Sequence, residues 1–191
     1  AEGLTTREMI NLLNAEPMLS GEVTLAVKEG ELLPETYTYV RGDTRNSIVM
    51  QAAKAMQKVK REVWEKREPG LPLKNADEMM ILASIIEKET AVPAERGLVA
   101  SVFVNRLKKG MRLQTDPTVI YALTRGESEL ERPLYKKDLS IDSPYNTYKN
   151  YGLPPTPICN PGRASIEAAV NPELSNYLYF VASGNGGHNF A

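Results

Sequence analysis

The sequence predicts an α+β fold, a wall of amphipathic helices followed by a small β-sheet. Apolar residues recur at three- and four-residue steps from Val49 to Leu123, the helical period. Beyond Gly126 the texture changes, and residues 140–162 carry Pro144, Pro154, Pro155, Pro157 and Pro161 with Tyr145, Tyr148 and Tyr151 among them, which excludes a long helix or a central strand. Last, Tyr177 to Val181 followed by Gly184, Gly186 and Gly187 reads as a strand entering a hairpin, with His188 and Phe190 on the return.

The elements follow in order. Thr5 and Glu8 have capping-box spacing, and Met9, Ile10, Leu12 and Leu13 supply an apolar stripe to Asn14. Val23, Leu25 and Val27 alternate, which predicts a strand over 22–27 and makes 1–40 a small helix-and-strand unit, with the larger part over 41–191. A longer helix runs from Thr44 through Val49, Ala52, Met56, Val59 and Val63, stopping before Pro69-Gly70. Asn75 caps the next, with Glu78 at N3 and an apolar row of Leu82, Ile85 and Ile86 reaching Thr90. The helix over 94–109 places Leu98, Val99, Val102, Phe103 and Leu107 on one side and ends at Gly110, a left-handed cap. Asp116-Pro117 opens another, with Asp116 as N-cap, and a short one fits Arg163 to Val170.

Composition narrows the function. At 191 residues the chain holds one ordinary domain with a small attachment. A net charge of -1 offers no general field for a phosphate backbone, so nucleic acid is not expected. Residues 45–68 still carry a local basic surplus, either a solvated face or a surface for an anionic partner. One cysteine, Cys159, and one histidine, His188, build neither a disulfide nor a zinc site. No run of about 20 apolar residues is present to span a bilayer, and the first residues do not read as a signal peptide.

Catalytic chemistry centres on Glu87-Lys88-Glu89. In helical phase Glu89 continues the side of Leu82, Ile85 and Ile86, and Glu87 is turned from it by about 200 degrees. A carboxylate on an apolar side must be paired or have a raised pKa, as a general acid requires. A frayed last turn, or a pair with Arg96 or Arg112, would be the plain structural alternative. Asp116 could serve as a second carboxylate, although capping accounts for its position, and Cys159 reads as packed rather than nucleophilic.

Ordered blocks then carry a resemblance: Ala83-Ser84-Ile85-Ile86-Glu87-Lys88-Glu89-Thr90, Val99 through Leu107, Gly110 through Tyr121, Tyr145-Asn146-Thr147-Tyr148 with Gly152-Leu153-Pro154-Pro155, Asn160-Pro161-Gly162, and Gly186-Gly187-His188-Asn189-Phe190. Together they resemble the YceG-like family of endolytic murein transglycosylases, also called MltG, over residues 75–190 and more weakly before them.

The resemblance implies an enzyme with a glycan-binding cleft, a remnant of a small LysM-like subdomain within 1–40, and a membrane anchor and further C-terminal residues outside this chain. It implies cleavage between N-acetylmuramic acid and N-acetylglucosamine in nascent peptidoglycan strands, leaving 1,6-anhydro ends. The setting would be the outer face of a bacterial cytoplasmic membrane, with glycan strands and cell-wall synthases as partners. Glu89 is the expected catalytic glutamate, Glu87 the second choice. Gln114, Thr115, Asp116, Tyr145, Asn146, Thr147, Tyr148 and Asn160 are expected in the groove, their amides and hydroxyls suiting an uncharged sugar with acetamide groups. No metal or organic cofactor is expected. A two-carboxylate glycoside hydrolase and a non-catalytic glycan-binding module are the alternatives.

Overall fold

The computed structural model describes all of residues 1–191. Helix α1 (Thr6–Ala15) starts with the expected capping box of Thr5 and Glu8, and α2 (Arg45–Glu65) is capped by the Thr44 side chain. Helix α3 (Ala76–Glu89) is capped by Asn75, whose side chain accepts from the Glu78 N–H. A short 3₁₀ turn (Pro93–Glu95) feeds α4 (Arg96–Lys108), and α5 (Asp116–Thr124) and α6 (Arg163–Val170) complete the helices. Strands β1 (Phe180–Ala182) and β2 (His188–Phe190) form an antiparallel hairpin with Phe180 opposite Phe190 and Ala182 opposite His188.

Helix α3 is the axis of the molecule. Every residue from Met79 to Ile86 is buried, so the helix is apolar around its whole circumference rather than along one stripe, as expected of a helix enclosed by neighbours. Helices α2, α4, α5 and α6 pack around it, and the small Ala168 and Ala169 let α6 lie close. Leu82, Ile85, Val99, Phe103 and Ile166 are fully buried at the centre of this core.

The proline-rich segment is ordered by α3 itself. The Ser84 hydroxyl donates to the Ile81 carbonyl at 2.7 Å and accepts the Ile158 N–H at 3.0 Å, and the Cys159 thiol donates to the Ser84 carbonyl at 3.3 Å. This fastens residues 158–160 across the helix without regular secondary structure.

Two expectations about local structure are corrected. Residues 22–27 form no strand: Val23 and Val27 pack on a small cluster with Leu32, Val49 and Ala52, and the Thr24 N–H goes to the Asn46 side chain at 2.9 Å instead of a neighbouring strand. Residues 1–40 therefore comprise α1 and an extended strap with no strand pair, and nothing in them supports a LysM-like remnant. The strap is laced to the rest of the chain, with the Thr5 hydroxyl donating to the Gly126 carbonyl at 2.6 Å and the Leu33 N–H to that of Ala52 at 3.1 Å. At Gly30, φ is +84° and an added Cβ would lie 2.7 Å from the Pro157 ring, so this crossing needs glycine. Second, the N-cap of α5 is Thr115, with Asp116 inside the first turn and Pro117 after it.

No helix is long and apolar enough to cross a membrane.

Candidate active site

Glu89 is the last residue of α3, and the turn Gln114–Asp116 that opens α5 faces it. Thr147 shapes that turn. Its Oγ1 accepts the Thr115 N–H at 3.0 Å and meets the Thr118 hydroxyl at 2.8 Å, while its carbonyl accepts the Gln114 N–H at 3.2 Å. Gln114 takes a left-handed backbone, φ +50°, and its exposed side chain stands at the cleft lining. The buried Thr115 is thereby aimed at Glu89, and its hydroxyl donates to Glu89 Oε1.

The resulting cleft measures about 190 Å³. Its apolar wall is Val102, Phe103, Leu113 and Phe180, with the Phe103 and Phe180 rings edge to face at 5.7 Å. Glu89, Arg106, Asp116 and Tyr148 supply the polar side. Burial pushes the Glu89 carboxyl above its ordinary pKa; the Thr115 hydroxyl pulls the other way, the negative Asp116 adds to the rise, and His188 opposes it. The Tyr148 hydroxyl donates to Asp116 Oδ1, and burial and that contact hold the phenol protonated.

Arg106 belongs to the site although nothing in the sequence reading singled it out. It is a buried cation with no carboxylate partner: Nε donates to the Leu178 carbonyl at 2.6 Å and Nη1 to those of Arg112 and Leu113 at 3.0 and 3.1 Å. It thus ties the approach to β1 to the loop carrying Gln114. The available signal was helical phase, since Arg106 follows Val99, Val102 and Phe103 at positions i+7, i+4 and i+3.

The other expected groove residues divide. Tyr148, Asp116 and Gln114 line the cleft with Glu89, and Thr115 touches Glu89 from behind. Tyr145 lies elsewhere, its ring 5.0 Å from that of Tyr121 and its hydroxyl 2.7 Å from that of Thr156. Asn146 is buried, its amide donating to the Leu139 and Ile141 carbonyls at 3.0 and 2.8 Å and its oxygen accepting the Tyr148 N–H. Asn160 is buried as well. It accepts the Leu32 N–H at 2.9 Å and donates to the Leu4 carbonyl at 3.2 Å and to the Thr6 hydroxyl at 3.1 Å, fastening the strap. The geometry therefore gives Asn146, Thr147 and Asn160 internal partners, where the sequence predicted sugar contacts. Glu87 is likewise engaged, accepting the Gly162 N–H and the Ser165 hydroxyl, each at 2.7 Å.

The profile of the YceG-like family matches residues 1–191. The endolytic murein transglycosylase of Bacillus subtilis (strain 168) is 46% identical over 158 residues, covering 83% of this chain and 42% of that protein. The protein of the same name from Streptococcus pneumoniae serotype 2 is 37% identical over 157 residues, 81% of this chain and 28% of its own length. This chain thus spans less than half of each of these relatives. A crystal structure of the yceG-like protein lmo1499 from Listeria monocytogenes superimposes with a TM-score of 0.78 at 36% identity, over 100% of this chain and 71% of that one. A profile match along the whole chain, agreeing with the fold, shows that the chain belongs to the YceG-like family.

Proposed function

We propose that this chain carries the catalytic site of an endolytic lytic transglycosylase acting on peptidoglycan, cutting between N-acetylmuramic acid and N-acetylglucosamine within nascent strands and so ending their elongation. The observation that carries the reading is one shielded carboxyl, Glu89, at the end of a buried helix in a cleft, with burial raising its pKa. Such a group is protonated at higher pH than an ordinary glutamate and can serve as general acid. The names of the relatives agree with this reading.

In the simplest scheme Glu89 gives its proton to the departing glycosidic oxygen, and the C6 hydroxyl of the muramic residue closes on C1 to form the 1,6-anhydro ring. The attacking group is part of the sugar, so no second carboxylate is needed to activate water, and the entropic demand is that of an intramolecular step. The carboxylate left on Glu89 is available to take the C6-hydroxyl proton. Gln114, Tyr148 and the Phe180 ring are the groups we assign to holding sugar.

A hydrolase using Asp116 as second carboxylate is the alternative, supported by its place in the same cleft. Mass spectrometry of muropeptides from digested strands separates the two. New ends one water lighter than a reducing end support the transglycosylase, and free reducing ends support the hydrolase.

We place the whole protein at the outer face of a bacterial cytoplasmic membrane beside cell-wall synthases, following the family resemblance. Fractionation of the full-length protein tests the first part, and recovery wholly in the cytosol would reject it.

A further inference from the structure

His188 is the single histidine of the chain, and the reaction scheme above leaves it idle. Its setting is specific. The Glu95 carboxylate grips it twice, with Oε2 2.8 Å from Nδ1 and Oε1 accepting the His188 backbone N–H at 2.9 Å. Those two hydrogen bonds hold the Glu95 carboxyl below its ordinary pKa, so it is the ionised acceptor and Nδ1 carries the hydrogen. Nε2 has no hydrogen-bond partner within the protein, and the His188 side chain keeps 15% of its surface exposed.

The hairpin is built to allow this grip. A Cβ on Gly187 would stand 2.6 Å from Glu95 Oε1, and Gly186 turns at φ +89°. Across the hairpin the imidazole meets the edge of Phe180, a wall of the Glu89 cleft, with centroids 5.1 Å apart. Glu95 sits on the 3₁₀ turn that follows α3, so the pair ties the end of the Glu89 helix to the hairpin that carries Phe180. The charged groups acting on the imidazole are Glu95 and Glu89, with Asp116 beyond Glu89; the hairpin itself presents only Phe180 and Phe190 to it.

A carboxylate fixing one imidazole nitrogen, with the other left as a free acceptor, is the base half of a catalytic triad that lacks only its hydroxyl. The chemistry proposed above supplies a hydroxyl from the substrate. We propose that His188, oriented by Glu95, is the base that receives the proton of the muramic C6 hydroxyl as the anhydro ring closes.

The step balances. The O6–H bond breaks and its proton goes to Nε2, while O6 bonds to C1. The bond from C1 to the departing oxygen breaks, and that oxygen takes the proton of Glu89. An imidazolium and a carboxylate result, and transfer of one proton from His188 to Glu89 through water restores both. This refines the scheme in which Glu89 acts twice, and it rests on the transglycosylase reading.

The test uses the full chain on uncrosslinked glycan strands. His188→Asn keeps a donor near the Nδ1 position for Glu95 but has no base. It should lower kcat about 100-fold with KM nearly unchanged, and remove the acidic limb of the kcat/KM profile. Added imidazole should restore part of the rate of His188→Ala, which a packing role could not produce. Independently of how those variants fold, the single imidazole resonance of Glu89→Gln protein should shift when intact strand fragments are added. A His188→Asn enzyme with wild-type kcat and an intact acidic limb, or an imidazole resonance indifferent to glycan, would overturn this role and leave the transglycosylase reading standing. A wild type that forms no anhydro ends would remove both.

Discussion

Glu87 and Glu89 share the last turn of α3 yet have opposite surroundings. Glu87 accepts two hydrogen bonds from the start of α6, through the Gly162 N–H and the Ser165 hydroxyl, and Glu89 accepts only the Thr115 hydroxyl and lines the cleft. One glutamate is therefore a strut between helices, and the other faces the cleft.

Glu87→Ala should be a stability variant. It strands two buried donors at the N-terminus of α6, where a carboxylate is also favoured by the helix dipole, and should cost about 1–3 kcal/mol. Urea unfolding measures this directly. Glu87→Gln, which keeps one acceptor, should lose less and should retain turnover per folded molecule.

Asn160→Ala should behave as a packing lesion. The Leu32 N–H loses its buried acceptor and the strap loses its tie, again for about 1–3 kcal/mol, with kcat per folded molecule preserved. A large fall in kcat at unchanged stability would return Asn160 to the sugar groove, where the sequence had put it.

Thr115→Val should move the pH profile. The Thr115 hydroxyl favours the charged form of Glu89, so its removal raises the Glu89 pKa further and keeps the acid protonated to higher pH. The alkaline limb of kcat/KM should shift upward in pH. A limb that moves downward would contradict Glu89 as the acid.

Glu89→Gln should change stability in a pH-dependent way. A carboxyl whose folded pKa is raised contributes stability that is complete below its ordinary value of 4.5 and is lost as pH rises through the folded value. Glutamine carries no such loss. The variant should exceed wild type in stability at neutral pH, and the difference should close below about pH 4.5, as followed by thermal unfolding at several pH values.

Much of the helical framework was legible because caps are local. Thr5 with Glu8, Thr44, Asn75 and the span of α6 all follow from neighbours within one turn. The strand expected at 22–27 failed because alternation records which side chains face inward, and here Val23 and Val27 pack with no strand beside them. Asn146 bonds Leu139, Ile141 and Tyr148 inside an irregular segment that no helical or strand period describes, and Asn160 accepts the Leu32 N–H from 128 residues away, beyond the reach of any local pattern. The pairing of Glu95 with His188 was hidden for the same reason, spanning 93 residues. Glu89 was singled out twice, by helical phase and by motif. The phase argument assumed one apolar stripe, whereas α3 is buried on all sides and the cleft comes from the turn that carries Thr115.

The central assignment is that Glu89 is the proton donor. The most direct measurement is the yield of 1,6-anhydro ends from the same sacculi treated with wild type, Glu89→Gln and Glu87→Gln, with circular dichroism establishing that each is folded. Anhydro ends from wild type and Glu87→Gln, and none from a folded Glu89→Gln, are predicted. Anhydro ends from Glu89→Gln at the wild-type rate would contradict the assignment.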